Sequence, residues 1–186
     1  MTYEAEASRA SIAIAGDTLL TRHLAVYREE PYLKLRELLH AADARFCNLE
    51  ASVHRYLDGP HSQRQGGGTY MTTEPGLIEE LKWLGINMLA CGSSHSDDYG
   101  WEGVLETIRH LDEAGMVHAG SGRHLAESRA PAYLDTPRGR FALVAANGQF
   151  NPGARAGEQR HDTAGHPGVN GIRHSQYYEI PRELLD

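Results

Sequence analysis

Short apolar runs alternate with amphipathic stretches along most of the chain, and the alternation predicts strand–helix–strand units. Ser11-Ile12-Ala13-Ile14-Ala15-Gly16 is an apolar run ending at Gly-Asp, the pattern of a buried parallel strand. Tyr32 to Ala42 places Leu35, Leu38 and Leu39 at the spacing of one helix face. Ala44 to Leu49 reads as a second strand, running out into polar residues at Asn48 and Glu50. His54 to Gly68 is irregular, with Gly59-Pro60 and Gly66-Gly67-Gly68, and predicts a surface loop. Pro75 then opens a helix through Leu77, Ile78, Leu81 and Leu84, which Gly85 ends. Asn87 to Cys91 predicts the third strand, Trp101 to Ala114 a helix closed by Gly115, and Met116 to Ala119 a short fourth strand.

Downstream the periodicity weakens. Leu125 to Ser128 fits one helical turn before Pro131, and Ala132 to Leu134 and Arg140 to Ala146 fit two strands around the turn Thr136-Pro137-Arg138-Gly139. Asn147 to His174 is a second long polar loop. Gln176 to Ile180 alternates as a strand would, and Pro181 to Leu185 reads as the start of a helix, so the pattern breaks off inside an element. The expectation is an α/β fold: a mainly parallel sheet with helices on both faces, residues 1–186 forming the amino-terminal part of a longer domain truncated at its carboxyl end. A sheet cut short exposes apolar surface and unpaired backbone, so self-association or a partner covering that edge is expected.

Composition narrows the partners. A chain that is 40% hydrophobic and 23% charged is globular, and a net charge of -7 argues against nucleic acid, which needs a basic face. Cys47 and Cys91 lie in the second and third apolar strands and read as core residues rather than ligands. Met1 to Ala10 has no apolar segment of signal-peptide type, and no run reaches the length of a membrane span. A cytoplasmic protein is the expectation.

In a parallel sheet the ligand site lies at the carboxyl ends of the strands. Strand one ends at Asp17, strand two at Asn48-Leu49-Glu50, and strand three runs into Ser93-Ser94-His95-Ser96-Asp97-Asp98. Oxygen and nitrogen donors delivered from separate strand ends suit a hard or borderline divalent ion. They equally suit acid–base chemistry at His95, with Asp17 or Glu50 orienting the ring. Each also has a plain structural reading: Asp17 as the cap of a following helix, Glu50 as a solvated acid, Asp97 and Asp98 as caps for the helix near Trp101. The three glycines at 66–68 lack the lysine of a phosphate-binding loop, and no Gly-x-Ser-x-Gly elbow is present. Arg155, Arg160 and Arg173 could meet an anionic substrate, or simply be solvated, as could His161, His166 and His174.

Taken in order, the motifs resemble those of the CapA (poly-γ-glutamate or capsule synthesis) family, related to the calcineurin-like metallophosphoesterases. Ala-Gly-Asp17-Thr-Leu-Leu is similar to the family's opening Gly-Asp motif, Phe46-Cys47-Asn48-Leu49-Glu50 to its Asn-Leu-Glu motif, and Ser94-His95-Ser96-Asp97-Asp98-Tyr99-Gly100 to its histidine signature. Thr107 to Gly122, Ala126 to Pro131 and Gly168 to His174 extend the likeness over nearly the whole chain. The resemblance implies Asp17 and Glu50 as ligands of a divalent metal (Mn, Zn or Fe) and His95 as a general acid or oxyanion contact. It implies Asp98 closing the His95 turn, and Asn48 and Ser94 at the substrate, which would be an anionic polymer, peptide or phosphoester. Ser93 and Ser94 stand where the family pattern has paired asparagines, and its later histidine motifs have no match. Two further readings stay open for that reason: a metal-free peptide epimerase, and a non-catalytic binding module in polymer assembly.

Overall fold

A computed structural model of the chain describes residues 9–63, 68–151, 153–175 and 177–184. In chain order it contains β1 (Ile12–Thr18), α1 (Glu30–His40), β2 (Ala44–Leu49), β3 (Ser52–Val53), β4 (Thr72–Thr73), α2 (Ile78–Leu84), β5 (Met88–Ala90) and α3 (Gly100–Glu113). There follow β6 (Val117–Ala119), β7 (Ser121–Gly122), α4 (Leu125–Ser128), β8 (Ala132–Thr136), β9 (Gly139–Leu143) and β10 (Gly168–Val169). The frame is a four-stranded sheet in the order β1-β2-β5-β6, every pairing parallel.

One face of this sheet carries the core. Cys47, Leu49, Leu89 and Cys91 point into a buried cluster with Ile78 and Leu81 of α2, Leu111 of α3, and Val53 and Met116. Each fully buried leucine here is worth about 1.5–3 kcal/mol, so the seam between sheet, α2 and α3 dominates the fold's stability. The two cysteines behave as the small core residues expected of them: burial pushes the Cys47 thiol up to about 12 and raises that of Cys91 as well. Gly85 ends α2 in a left-handed conformation (φ 111°) and so turns the chain into β5. Helix α1 lies beside α2, where Tyr32 stacks on Trp83 (5.9 Å between ring centroids) and Arg36 Nε donates to the Trp83 carbonyl (2.7 Å).

The expected helices on both faces are not found among the described residues. Successive strands step across the sheet in one direction, and right-handed crossovers then place α1, α2 and α3 on the same side. On the opposite side the β8–β9 hairpin approaches, and Phe141 and Leu143 enclose an apolar cavity of about 230 Å³ with Ile12, Ile14, Phe46 and Met88. Ile12 and Ile14 stay 52% and 72% exposed, so the edge strand β1 and its outer face are open.

The described parts of both polar loops carry more pairing than the sequence pattern predicts. The first is flanked by β3 and β4, which pair in parallel, and His54 at its start is buried with its ring nitrogens on the Arg55 carbonyl (3.0 Å) and the Thr72 hydroxyl (3.0 Å). Within the second, β10 pairs antiparallel with β7, and Ala154, Ala156 and Val169 are buried. The hairpin strand expected over Arg140 to Ala146 ends at Leu143. Residues 177–180 form no strand, and only a 3-10 turn, Arg182–Leu184, follows. The expectations that fall on Met1 to Ser8, Gly66-Gly67, Gln176 and Leu185 lie outside the described residues. Among the described residues no helix is long and apolar enough to cross a membrane.

The ends of β5 and β6 touch through two glycines. A Cβ on Gly120, whose φ is +107°, would stand 2.8 Å from the Gly92 nitrogen, and one on Gly92 would stand 3.1 Å from the Gly120 oxygen. Gly120→Ala is therefore expected to destabilise the chain by at least ~1–2 kcal/mol from backbone conformation alone, read as a lower midpoint in urea unfolding; an unchanged midpoint would show that this contact is not needed.

Candidate functional site

Asp17 reaches its place through an irregularity in a parallel ladder. Ile12 pairs with Ala44 and Ile14 with Phe46, but Asp17, not Gly16, stands opposite Asn48. A single extra residue in β1 re-aims the side chains beyond it, as bulges commonly do beside sites. The following Thr18 pairs with Leu49, and no helix follows closely enough for Asp17 to be its cap, since α1 begins at Glu30.

With Asp17 so placed, the side chain of Asn48 lies between two acids. Its Nδ2 donates to Asp17 Oδ1 at 2.8 Å and to Glu50 Oε2 at 2.6 Å. The other Glu50 oxygen, Oε1, accepts from Ser94 Oγ at 2.8 Å. Two carboxylates crowded together repel one another, and the amide and hydroxyl donors offset that repulsion. The structure thus brings four of the expected residues, Asp17, Asn48, Glu50 and Ser94, into one hydrogen-bonded chain across the ends of β1, β2 and β5.

The remaining two form a pair one residue further on. His95 Nδ1 lies 2.7 Å from Asp98 Oδ2; the Asp98 side chain is wholly buried, and that of His95 is 17% exposed. Burying a carboxylate is costly unless its oxygens are satisfied, and Asp98 Oδ2 also accepts from the Met71 amide at 2.8 Å. An ionised Asp98 requires the proton on His95 Nδ1, which fixes the tautomer and directs the chemistry of the ring to Nε2. Asp98 is therefore not a helix cap: α3 begins after Tyr99 and has no side-chain cap. Burial first, and the neighbouring Asp98 carboxylate next, raise the Tyr99 phenol above its ordinary value.

Sequence reasoning marked Ser93 only as a departure from the family pattern and passed over Ser96 and Ser52, which help shape this turn. Ser96 Oγ donates to the Cys91 carbonyl (2.8 Å) and accepts from the Ser93 amide (2.9 Å), and the His95 amide donates to Ser93 Oγ (3.2 Å). Ser52 at β3 meets the His95 carbonyl from below (3.3 Å). The one available signal was the density of serine itself between Cys91 and Asp97, a composition that favours local side-chain-to-backbone bonds. The histidines of the second loop stay apart from the cluster as described: His161 and His174 are exposed, and His166 stacks on Trp101 at 4.8 Å.

Among the described residues no group of three or more His, Cys, Asp or Glu side chains comes together as a metal-binding cluster. The donors that do converge are all oxygens apart from the Asn48 amide nitrogen, and oxygen-rich sets suit Mg²⁺ or Mn²⁺ better than Zn²⁺.

Comparison with known proteins follows the same motifs. The family model described as "Bacterial capsule synthesis protein PGA_cap" matches residues 11–179. Two proteins of Sinorhizobium fredii (strain NBRC 101917 / NGR234), uncharacterized proteins y4sH and y4uA, are each 34% identical over 178 residues, covering 95% of this chain and 38% of theirs. The capsule biosynthesis protein CapA of Bacillus anthracis is 22% identical over 166 residues, covering 83% of this chain and 39% of its own. The chain thus spans about two fifths of the length of the curated relatives it matches. A match that takes in β1, the Asn48–Glu50 strand end, the His95 turn and the second loop shows that the chain belongs to the bacterial capsule synthesis (PGA_cap) family.

Proposed function

We propose that this chain carries the acid-and-histidine part of a metal-assisted hydrolase site, on a calcineurin-like frame, acting on an anionic polymer, peptide or phosphoester of capsule synthesis. The observation that carries the reading is the pairing of Asp17 and Glu50 around Asn48, joined through Ser94 to the neighbouring, Asp98-backed His95. Cation binding requires the Asn48 amide to turn, because Nδ2 is a donor and only Oδ1 can ligate. Asp17, Glu50 and Asn48 Oδ1 would then hold the ion, with Ser94 a weaker neutral contact. A divalent ion there supplies Lewis-acid polarisation of the scissile group. His95 works beside it as the general acid or oxyanion contact, and Asp98 holds the ring in the tautomer that leaves Nε2 for the proton. With two carboxylates as the only charged ligands, affinity for the ion is expected to be weak. Titrating Mn²⁺ by calorimetry should show binding to the wild type that Asp17→Ala weakens at least ~10-fold; equal binding by both would remove the metal from this reading.

A second reading rests on the same His95–Asp98 contact. Asn48 and Ser94 give both carboxylates neutral hydrogen-bond donors, which suits a metal-free acid–base site such as a peptide epimerase. Here solvent deuterium should enter a glutamyl peptide at its α-carbon in the presence of chelator and cease in His95→Ala, a loss of ~10²–10⁴-fold. Activity lost on chelation decides for the hydrolase instead.

The outer face of β1 bears on a non-catalytic role. Ile12, Ile14 and Phe46 form an apolar surface at the edge of the sheet, the kind of surface that drives association. We expect this chain to self-associate through it, and Ile14→Lys to restore a monomer by light scattering; a monodisperse wild-type monomer overturns the expectation.

A further inference from the structure

The hydroxyls of the His95 turn stand in a line along which every proton can be assigned. Ser96 Oγ lies 2.8 Å from the Cys91 carbonyl, which only accepts, so the single hydroxyl proton of Ser96 is committed there. The contact between Ser93 Oγ and Ser96 Oγ (3.1 Å) must then take its proton from Ser93. That leaves the lone pairs of Ser93 Oγ for the His95 amide, which donates to it at 3.2 Å. The result is a directed chain: the His95 amide donates to Ser93, the Ser93 hydroxyl to Ser96, and the Ser96 hydroxyl to the Cys91 carbonyl. The Ser93 amide fills the second lone pair of Ser96 Oγ at 2.9 Å, so this hydroxyl is fully used.

Both ends of the chain are fixed. The Cys91 amide donates to the Ala119 carbonyl of β6 at 2.8 Å, so the receiving carbonyl belongs to the sheet rather than to the turn. At the other end the His95 carbonyl accepts from the Ser52 hydroxyl (3.3 Å) and from the Asp98 amide (3.2 Å). Ser52, Ser93 and Ser96 are all buried, and a hydroxyl removed from such a place leaves its partners unpaired. The His95 ring hangs from its own Cα by two rotatable bonds, and Nδ1 must come within 2.7 Å of Asp98 Oδ2. Hydrogen bonds weaken steeply with distance and misalignment, so that contact depends on where the His95 peptide sits.

We propose that Ser96 is a positioning residue for His95. Its hydroxyl, two hydrogen bonds removed from the His95 peptide, sets the height of the turn over the end of β5 and so holds Nδ1 on Asp98. Ser96 supplies neither a ligand nor a reacting atom. The inference rests on His95 as the reacting group, which the hydrolase and the epimerase share, and on the chemistry of neither. Ser93 is the middle link: removing either serine opens the same chain, so the two effects do not add. A serine that served only to pack the turn would lower stability and leave the ring contact of the folded chain unmoved.

The test is proton NMR of the whole chain carrying nitrogen-labelled histidine, in chelator and at one fixed pH, with thermal unfolding alongside. A histidine Nδ1 proton held by a buried carboxylate resonates far downfield and exchanges slowly with water, and the His95 signal is identified by its absence from His95→Gln. In Ser96→Ala, at a temperature where the variant is folded, this proton should shift and exchange about tenfold faster, the loss expected for roughly one hydrogen bond. Ser93→Ala should do the same, and the double variant should be no worse than either alone. Ser96→Thr keeps the hydroxyl and should return the wild-type signal. Should the Ser96 variants not fold, Ser93→Ala, which leaves the bond from Ser96 to Cys91 in place, decides alone. A wild type without a protected His95 proton, a Ser96→Ala or Ser93→Ala signal equal to wild type, effects of the two that add, or a folded Ser96→Thr that behaves as Ser96→Ala would each overturn the proposal. None of these outcomes touches the metal reading, which Mn²⁺ binding and Asp17→Ala decide separately.

Discussion

The Asp98 carboxylate, with no exposure to solvent, organises the region around the site. Such a charge is stable inside a protein only where donors surround it, so the segments that supply them are held to it. It takes the His95 ring and the Met71 amide on one oxygen, and its own carbonyl accepts from the Gln63 amide. Two points of the segment before β4, Gln63 and Met71, are thereby tied to the His95 turn. Met71 leads directly into β4, which pairs with β3, and β3 continues from Glu50. The His95 turn and the strand ends that lead through β4 and β3 thus share one anchor.

Along the sheet edge, acids and histidine are arranged in sequence. Asp17 and Glu50 press toward one another at one end with Asn48 between them, and the Asp98-backed His95 follows beyond Ser94. The chain carries a net charge of -7, so the average field around it repels anions. The bulge in β1 and the glycine contact between the ends of β5 and β6 are the two backbone devices that set these groups in line.

The sheet itself is asymmetric. Helices α2 and α3 pack on the side of Leu89 and Cys91, while the β8–β9 hairpin meets the other side over a cavity. The sheet has four strands, and Ile12 and Ile14 on its less covered face stay exposed.

Sequence alone determined the order of the main strands and helices, the burial of Cys47 and Cys91, and the delivery of Asp17, Asn48, Glu50 and His95 to one edge. These follow from local periodicity and from the rule that parallel strands present their carboxyl ends together. Only the tertiary structure decided that the helices share one face, since handedness acts on strand order and no local pattern encodes that order. It alone revealed β3 with β4 and β7 with β10, because strands of two residues are too short to show a period. The same holds for Asp98, which in sequence could equally be a helix cap, and for Ser96, which in sequence could equally be a solvated turn residue. What a polar side chain does depends on whether its partner, often dozens of residues away, is a donor, an acceptor or water, and folding alone sets that.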